Sequence, residues 1–262
     1  VLEIDILISS CGDRVKDLHR VFLPQEQGVR YLVGHQCSPG AEMHETFDRE
    51  DVFYFPIHST GVAKSRNLLL SKSESDVAYF CDDDVRLDDG VIATLRNSHE
   101  EFSDRVITYM VGDGEGGLRK RFKDSTVLRT RFSILSVGTI EVSVRDPSSF
   151  LVRFDEDLGA GAALPVGDEA TFLAKVLSSG DLVRFVPRIV CYHPQESSGG
   201  AVSDASIVSR GVVLRRVFGF FVGGCILPLF FVRRKALFSS EKGRGRALYL
   251  LVKGFVRGGN YV

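Results

Sequence analysis

No two cysteines in the sequence are spaced as C-x-x-C. The five, Cys11, Cys37, Cys81, Cys191 and Cys225, are odd in number and far apart, which argues against a zinc knuckle and a disulfide framework and fits a reducing compartment. Neither sign of charge is in excess: 33 Lys+Arg against 34 Asp+Glu leave a formal charge of -1, so overall basicity cannot hold nucleic acid and no nucleic-acid partner is expected. No fixed-period repeat is visible, and no basic stretch followed by an apolar run and cleavage site opens the chain. A cytoplasmic location is the expectation. What is present is 44% hydrophobic and 26% charged residues over 262 positions, the balance of a soluble globular protein with one large domain or two small ones.

The near-neutral total hides a split. From Ile207 onward there are eleven basic residues and one acidic residue, Glu241, so this segment carries +10 and the rest -11. Within it, Val217 to Val232 is a run of sixteen uncharged residues bracketed by Arg215-Arg216 and Arg233-Arg234-Lys235. That run is shorter than the roughly 20 apolar residues of a spanning helix. An interfacial or re-entrant segment is therefore expected, the alternative being a helix packed on the core. The reading divides the chain into a globular domain over 1–206 and a basic, apolar, membrane-associating segment over 207–262, helical and amphipathic. Gln195 to Ser206, rich in Ser, Gly and Ala, reads as the linker.

Before the linker, short β-branched runs alternate with amphipathic stretches, the pattern of an α/β sheet. Strands are expected over Leu2–Ser9, Tyr31–Gln36, Val52–Phe55, Val77–Cys81, Arg105–Val111, Phe132–Val144 and Leu182–Pro187. Helices are expected over Gly61–Ser71, Asp88–Phe102 with Asp88 as N-cap, and Gly167–Leu177. The Gly-rich, basic stretch Gly112–Arg121 reads as a mobile loop.

Tyr79-Phe80-Cys81-Asp82-Asp83-Asp84 carries the strongest chemical signal. Three adjacent carboxylates at the end of an apolar strand repel one another unless a cation or donors offset them. In an extended chain Asp82 and Asp84 point the same way, and two carboxylates so placed can hold Mg2+ or Mn2+; a solvated acidic turn is the alternative. Gly61-Val62-Ala63-Lys64-Ser65-Arg66-Asn67 opens a helix where a phosphate could approach the backbone and pair with Arg66. Phe154-Asp155-Glu156-Asp157-Leu158-Gly159-Ala160-Gly161-Ala162-Ala163 is a glycine-rich loop running into Gly167-Asp168-Glu169 at a helix start. Those last two carboxylates read either as capping residues or as a general base at a pocket rim. Cys191-Tyr192-His193-Pro194 adds one His at a strand end.

Taken in this order, a first strand with Arg14, GVAKSRN, YFCDDDV, FDEDLGAGA…GDEATFL and VCYHP, the sequence resembles a family 2 glycosyltransferase of the GT-A fold, of the bacterial surface-polysaccharide type. The resemblance covers roughly Ile4 to Gly200. It implies a mostly parallel mixed sheet flanked by helices and an inverting transfer from a nucleotide-diphosphate-sugar, a UDP-sugar by expectation, to a glycan that is lipid-linked. It further implies that Asp82, Asp84 and His193 hold Mn2+ or Mg2+. Ser10, Arg14, Gln36, Arg66, Asp82 and Asp83 would contact the nucleotide-sugar, and Glu169 would be the base, with Asp168 as alternative. The family often has Glu-Asp where this chain has Asp168-Glu169, and an Asp where it has Gln36; an amide can still pair with a uracil edge. The tail then implies a peripheral enzyme on the anionic inner face of the plasma membrane. A sugar-nucleotide pyrophosphorylase and a non-catalytic carbohydrate-binding or scaffold protein are the rival readings.

Overall fold

The computed structural model describes residues 1–41, 47–193, 203–234 and 243–259. The alternating pattern folds as expected into a mixed α/β sheet. Its first half is parallel: β1 (Ile4–Cys11) lies between β2 (Val29–Gln36) and β4 (Val77–Asp82), and β3 (Val52–Ile57) flanks β2. The run Ile4-Asp5-Ile6-Leu7-Ile8 is buried throughout, as a strand covered on both faces must be. The second half is mixed. β8 (Val142–Arg145) runs antiparallel to β4 and to β6 (Val106–Gly112), and β9 (Val183–Tyr192) runs parallel to β6. Two short strands, β5 (Arg86–Leu87) and β7 (Val127–Leu128), pair antiparallel with β9.

Apolar residues on the two sheet faces form two cores. One collects Ile4, Ile6, Ile8, Tyr79 and Leu95, the last from α2 (Val91–Glu101). The other collects Leu7, Phe80, Leu69 from α1 (Val62–Lys72) and Phe172 from α3 (Asp168–Ser178). Phe154 stacks on Phe172 at 4.1 Å between centroids and meets Phe80 edge to face at 5.2 Å, so the aspartate strand, the glycine loop and α3 share one aromatic contact.

Several elements depart from expectation. Phe132–Val144 is not one strand: two 3-10 turns, Ser133–Ser136 and Thr139–Glu141, precede β8. Thr130 and Ser133 exchange local side-chain bonds that begin the first turn, an alternative to the ladder that Ser and Thr readily offer. The last core strand continues through Pro187 to Tyr192, with a register irregularity opposite Met110, where Pro is tolerated in a sheet. Asp88 does not cap α2. It accepts from Gly90 N at 2.9 Å in the preceding turn, and the helix starts at Val91. The stretch expected as a mobile loop folds back as a tight turn, with Asp113 Oδ1 accepting from the Glu115 and Gly117 amides.

The linker reading falls mainly outside the described residues; Ser203 and Ser206 cap α4 (Asp204–Arg233) reciprocally. By length and composition α4 could cross a membrane, but Gly219 at φ 74° and ψ -175° breaks it. In a continuous helix Leu214 and Gly223 would lie about 13 Å apart along the axis. Here a Cβ on Gly223 would lie 2.9 Å from the Leu214 carbonyl oxygen, so the chain reverses at Gly219. Two arms, 204–218 and 220–233, thus pack with α5 (Arg244–Arg257) around Ile207, Leu214, Leu227, Leu251 and Phe255. The first arm belongs to the α/β unit: Val213 and Val217 enter the second core. Arg216 pairs with Asp157 at 2.6 Å and Asp155 at 3.0 Å. The boundary placed after Ser206 therefore falls inside the first turn of α4, and the chain changes partners at Gly219.

Candidate active site

The carboxyl ends of the parallel strands open into a cavity of about 680 Å3, in the range that holds a ligand of nucleotide size. Its lining includes Ser10 near the end of β1 and Arg14 after it, Gln36 at the end of β2, Asp82 at the end of β4 with Asp83 and Asp84 after it, Arg66, Asp168, Glu169 and His193. Every residue singled out from the sequence thus faces one space, though several have other duties than expected.

Arg66 is buried and bridges two motifs, 2.5 Å from Asp168 and 3.1 Å from Asp82. Its neighbour Asn67 bonds both backbone groups of Phe154, at 2.8 and 3.1 Å. The start of α1 therefore clamps the aspartate strand, the glycine loop and the head of α3 together. Within the fold Arg66 is thus paired with two carboxylates while still lining the cavity. Close backbone approach completes the clamp: Val62 N donates to Ala160 O at 2.9 Å. A Cβ on Gly161, at φ +78°, would stand 3.1 Å from Gly61 N, so only glycine suits that position.

The three aspartates diverge. Asp82 turns to Arg66. Asp83 is buried and receives the Cys11 amide at 3.3 Å and Arg14 Nε at 3.2 Å; burial raises its pKa, against the Ser10 hydroxyl and Arg14. Asp84 lies 3.2 Å from His193 Nε2, and that hydrogen bond holds its carboxyl below the usual range. Of the three expected metal donors, Asp84 and His193 come together and Asp82 stands apart on Arg66. Among the described residues no group of three His, Cys, Asp or Glu is arranged to hold a metal. A carboxylate beside an imidazole is a two-donor set, of the kind that leaves remaining positions to water and phosphate oxygens.

Gln36 donates both amide hydrogens to backbone, Ser59 O at 2.7 Å and Gly61 O at 3.0 Å. The bonds fix the amide's orientation and leave Oε1, an acceptor, for a ligand. At the opposite wall Glu169 sits in the first turn of α3 and accepts from Thr139 Oγ1 at 2.9 Å. Burial, and then the charge of Asp168, push its pKa up to about 8, against Arg66 and Thr139. Asp168 itself is locked onto Arg66, which leaves Glu169 as the carboxylate that meets the cavity.

Sequence reasoning missed part of this wall. Thr139 and Glu141 lie in the segment read as a strand, whose composition gave no sign of turns. Glu141 is buried, accepts from Gly138 N at 2.9 Å and pairs with Lys120. Burial raises the Glu141 pKa and lowers that of Lys120. Lys120 is thus held at the wall by Glu141 and the Ser136 carbonyl, and Arg119 beside it also lines the cavity.

The architecture is shared with solved structures. S. aureus TarS 1-349 in complex with UDP-GlcNAc superposes with a TM-score of 0.68 at 12% identity, covering 98% of this chain and 81% of that one. The two chains share one fold. S. aureus TarS 1-349 without that ligand gives a TM-score of 0.64 at the same identity and coverage, and its complex with UDP gives 0.59 at 11%, covering 99% and 72%. No family model matches the sequence, and no curated protein matches it at the threshold applied.

Proposed function

We propose that this chain is an inverting glycosyltransferase of the family 2 type, moving a sugar from a nucleotide-diphosphate-sugar, a UDP-sugar, to a hydroxyl of a lipid-linked glycan in surface-polysaccharide synthesis. One observation carries the reading. The aspartates after β4 and the acidic start of α3 open into the same cavity, with a carboxyl of raised pKa facing it, on a fold shared with a protein crystallised with UDP-GlcNAc.

In this reading Gln36 Oε1 accepts from a nucleobase N–H such as that of uracil. Ser10, Arg14 and Asp83 border the sugar-nucleotide, and Arg14 is the exposed cation on that side. Mn2+ or Mg2+, held by Asp84 and His193, would supply charge neutralisation for the leaving diphosphate. Glu169 takes the proton of the acceptor hydroxyl as that oxygen attacks the anomeric carbon; Thr139 holds the carboxylate in place, and Arg66 and Asp168 fix the head of its helix. Burial of Glu169 raises its pKa toward working pH, as suits a general base.

The test is a calorimetric screen of UDP-, GDP- and dTDP-sugars with Mn2+ present, then with chelator. Binding of a UDP-sugar that weakens at least tenfold on chelation is expected, and slow release of free sugar should accompany it. Binding of a nucleoside triphosphate with sugar 1-phosphate turnover would move the protein to the pyrophosphorylases instead.

A further inference from the structure

The three-helix unit formed by the two arms of α4 and by α5 buries one apolar face and exposes another. On the second arm Phe221, Cys225, Leu229 and Val232 are all exposed, at spacings of four, four and three residues that place them on one stripe. On α5 Tyr249, Val252 and Val256 are exposed at spacings of three and four. Phe221 is 85% exposed and Tyr249 64%. A globular protein has no use for such stripes of large apolar side chains unless something covers them.

Charge says what does. From Ser203 to Gly259 the described residues hold nine Lys and Arg and one acid, Asp204, which pairs with Arg246 at 2.6 Å. Arg233 and Arg234 end the second arm and Arg244 opens α5, all exposed. The remaining described part of the chain carries acids in excess, so the net positive charge is segregated onto this unit. The second arm's 14 residues reach about 21 Å, short of the ~30 Å hydrocarbon layer, and the break at Gly219 prevents the first arm from extending it. We propose that this face lies on an anionic lipid bilayer, with Phe221, Tyr249 and their stripes set into the headgroup boundary and Arg233, Arg234 and Arg244 among the phosphates. Docking of this kind uses two helices side by side, where the sequence reading had a single interfacial or re-entrant run. The first arm ties the docking unit to the cavity: a Cβ on Gly167, the residue before Asp168, would be 2.2 Å from Val213 Cγ2.

Flotation of the full chain tests this without any catalytic turnover, so its result stands apart from the transferase reading. Vesicles of phosphatidylglycerol and phosphatidylcholine should carry the protein up a density gradient, and vesicles of phosphatidylcholine alone should carry far less. Arg233→Gln with Arg234→Gln should weaken partitioning about fivefold per residue removed, and Phe221→Glu with Tyr249→Glu should abolish it. Both pairs are surface changes, and an unaltered melting temperature will show that each variant is folded. Failure of the unaltered chain to float with anionic vesicles overturns the proposal. So does a dimer in sedimentation that Phe221→Glu dissociates, because a second copy would then be what covers the face.

Discussion

Glu169 and Asp168 are adjacent acids of the same helix turn with opposite fates, because one is neutralised by a buried guanidinium 2.5 Å away and the other meets the cavity. The sign of the resulting pH dependence follows. A carboxyl raised from 4.5 to about 8 in the fold binds its proton more tightly folded than unfolded, so stability falls as pH rises from the lower value to the upper and is level beyond it. If Glu169 is the base of the proposed transfer, activity is expected to run the other way, rising with pH through about 8 as it ionises. Glu169→Gln is expected to abolish transfer, keep donor affinity within about threefold, and flatten the stability profile, so that urea unfolding at pH 8.5 and 5.5 differs less than in the unaltered chain. Thr139→Val removes a hydrogen bond to the ionised form. The rising limb of kcat/KM should then move upward by about one pH unit, with donor affinity unchanged; an unmoved limb would show that Thr139 merely fills space. Side-chain identities at the site were legible in the sequence, their pairings were not. Arg66 reads as a phosphate ligand until the fold brings Asp168 to it from a hundred residues away.

At the scale of elements, glycine decides where segments meet. Gly167 begins α3 at φ +97° and has Val213 of the first α4 arm in the space a Cβ would need. Gly167→Ala combines a left-handed backbone with a clash, and a loss of about 2–4 kcal/mol is expected by urea denaturation. Adding Val213→Ala should recover the clash but not the backbone cost, so the double variant should sit between the two. Periodicity located β1 to β4, α1 and α3 within a residue or two, since each is long and half or fully buried. It failed over Phe132–Val144, where Ser, Thr and Gly turn a β-branched stretch into the cavity wall through local bonds that composition does not reveal. It failed also at Gly219, because a glycine in an apolar run looks the same whether the helix continues or reverses.

For the whole molecule, the split of charge at Ile207 pointed to two parts, but the division of packing comes twelve residues later. Residues 204–218 close the α/β unit: Val213 and Val217 fill its second core, Arg216 neutralises Asp155 and Asp157 of the loop that includes Gly159 and Gly161, and Phe218 lies 4.9 Å from Phe132 between ring centroids. A chain cut after Ser206 would leave those two valine sites empty and both aspartates without their arginine. Burial of the valines alone is worth about 3–5 kcal/mol, a large share of the total stability of a domain this size. A chain ending at Phe218 keeps these contacts and loses only the second arm and α5, at the cost of exposing Ile207 and Leu214. The expected order of melting temperatures is therefore the full chain, then the chain ending at 218, then the chain ending at 206. The last should bind apolar dyes in its resting state, as an opened core does. Equal melting of the two shortened chains would return the boundary to Ser206 and make the first arm part of the basic tail, as its charge alone suggested.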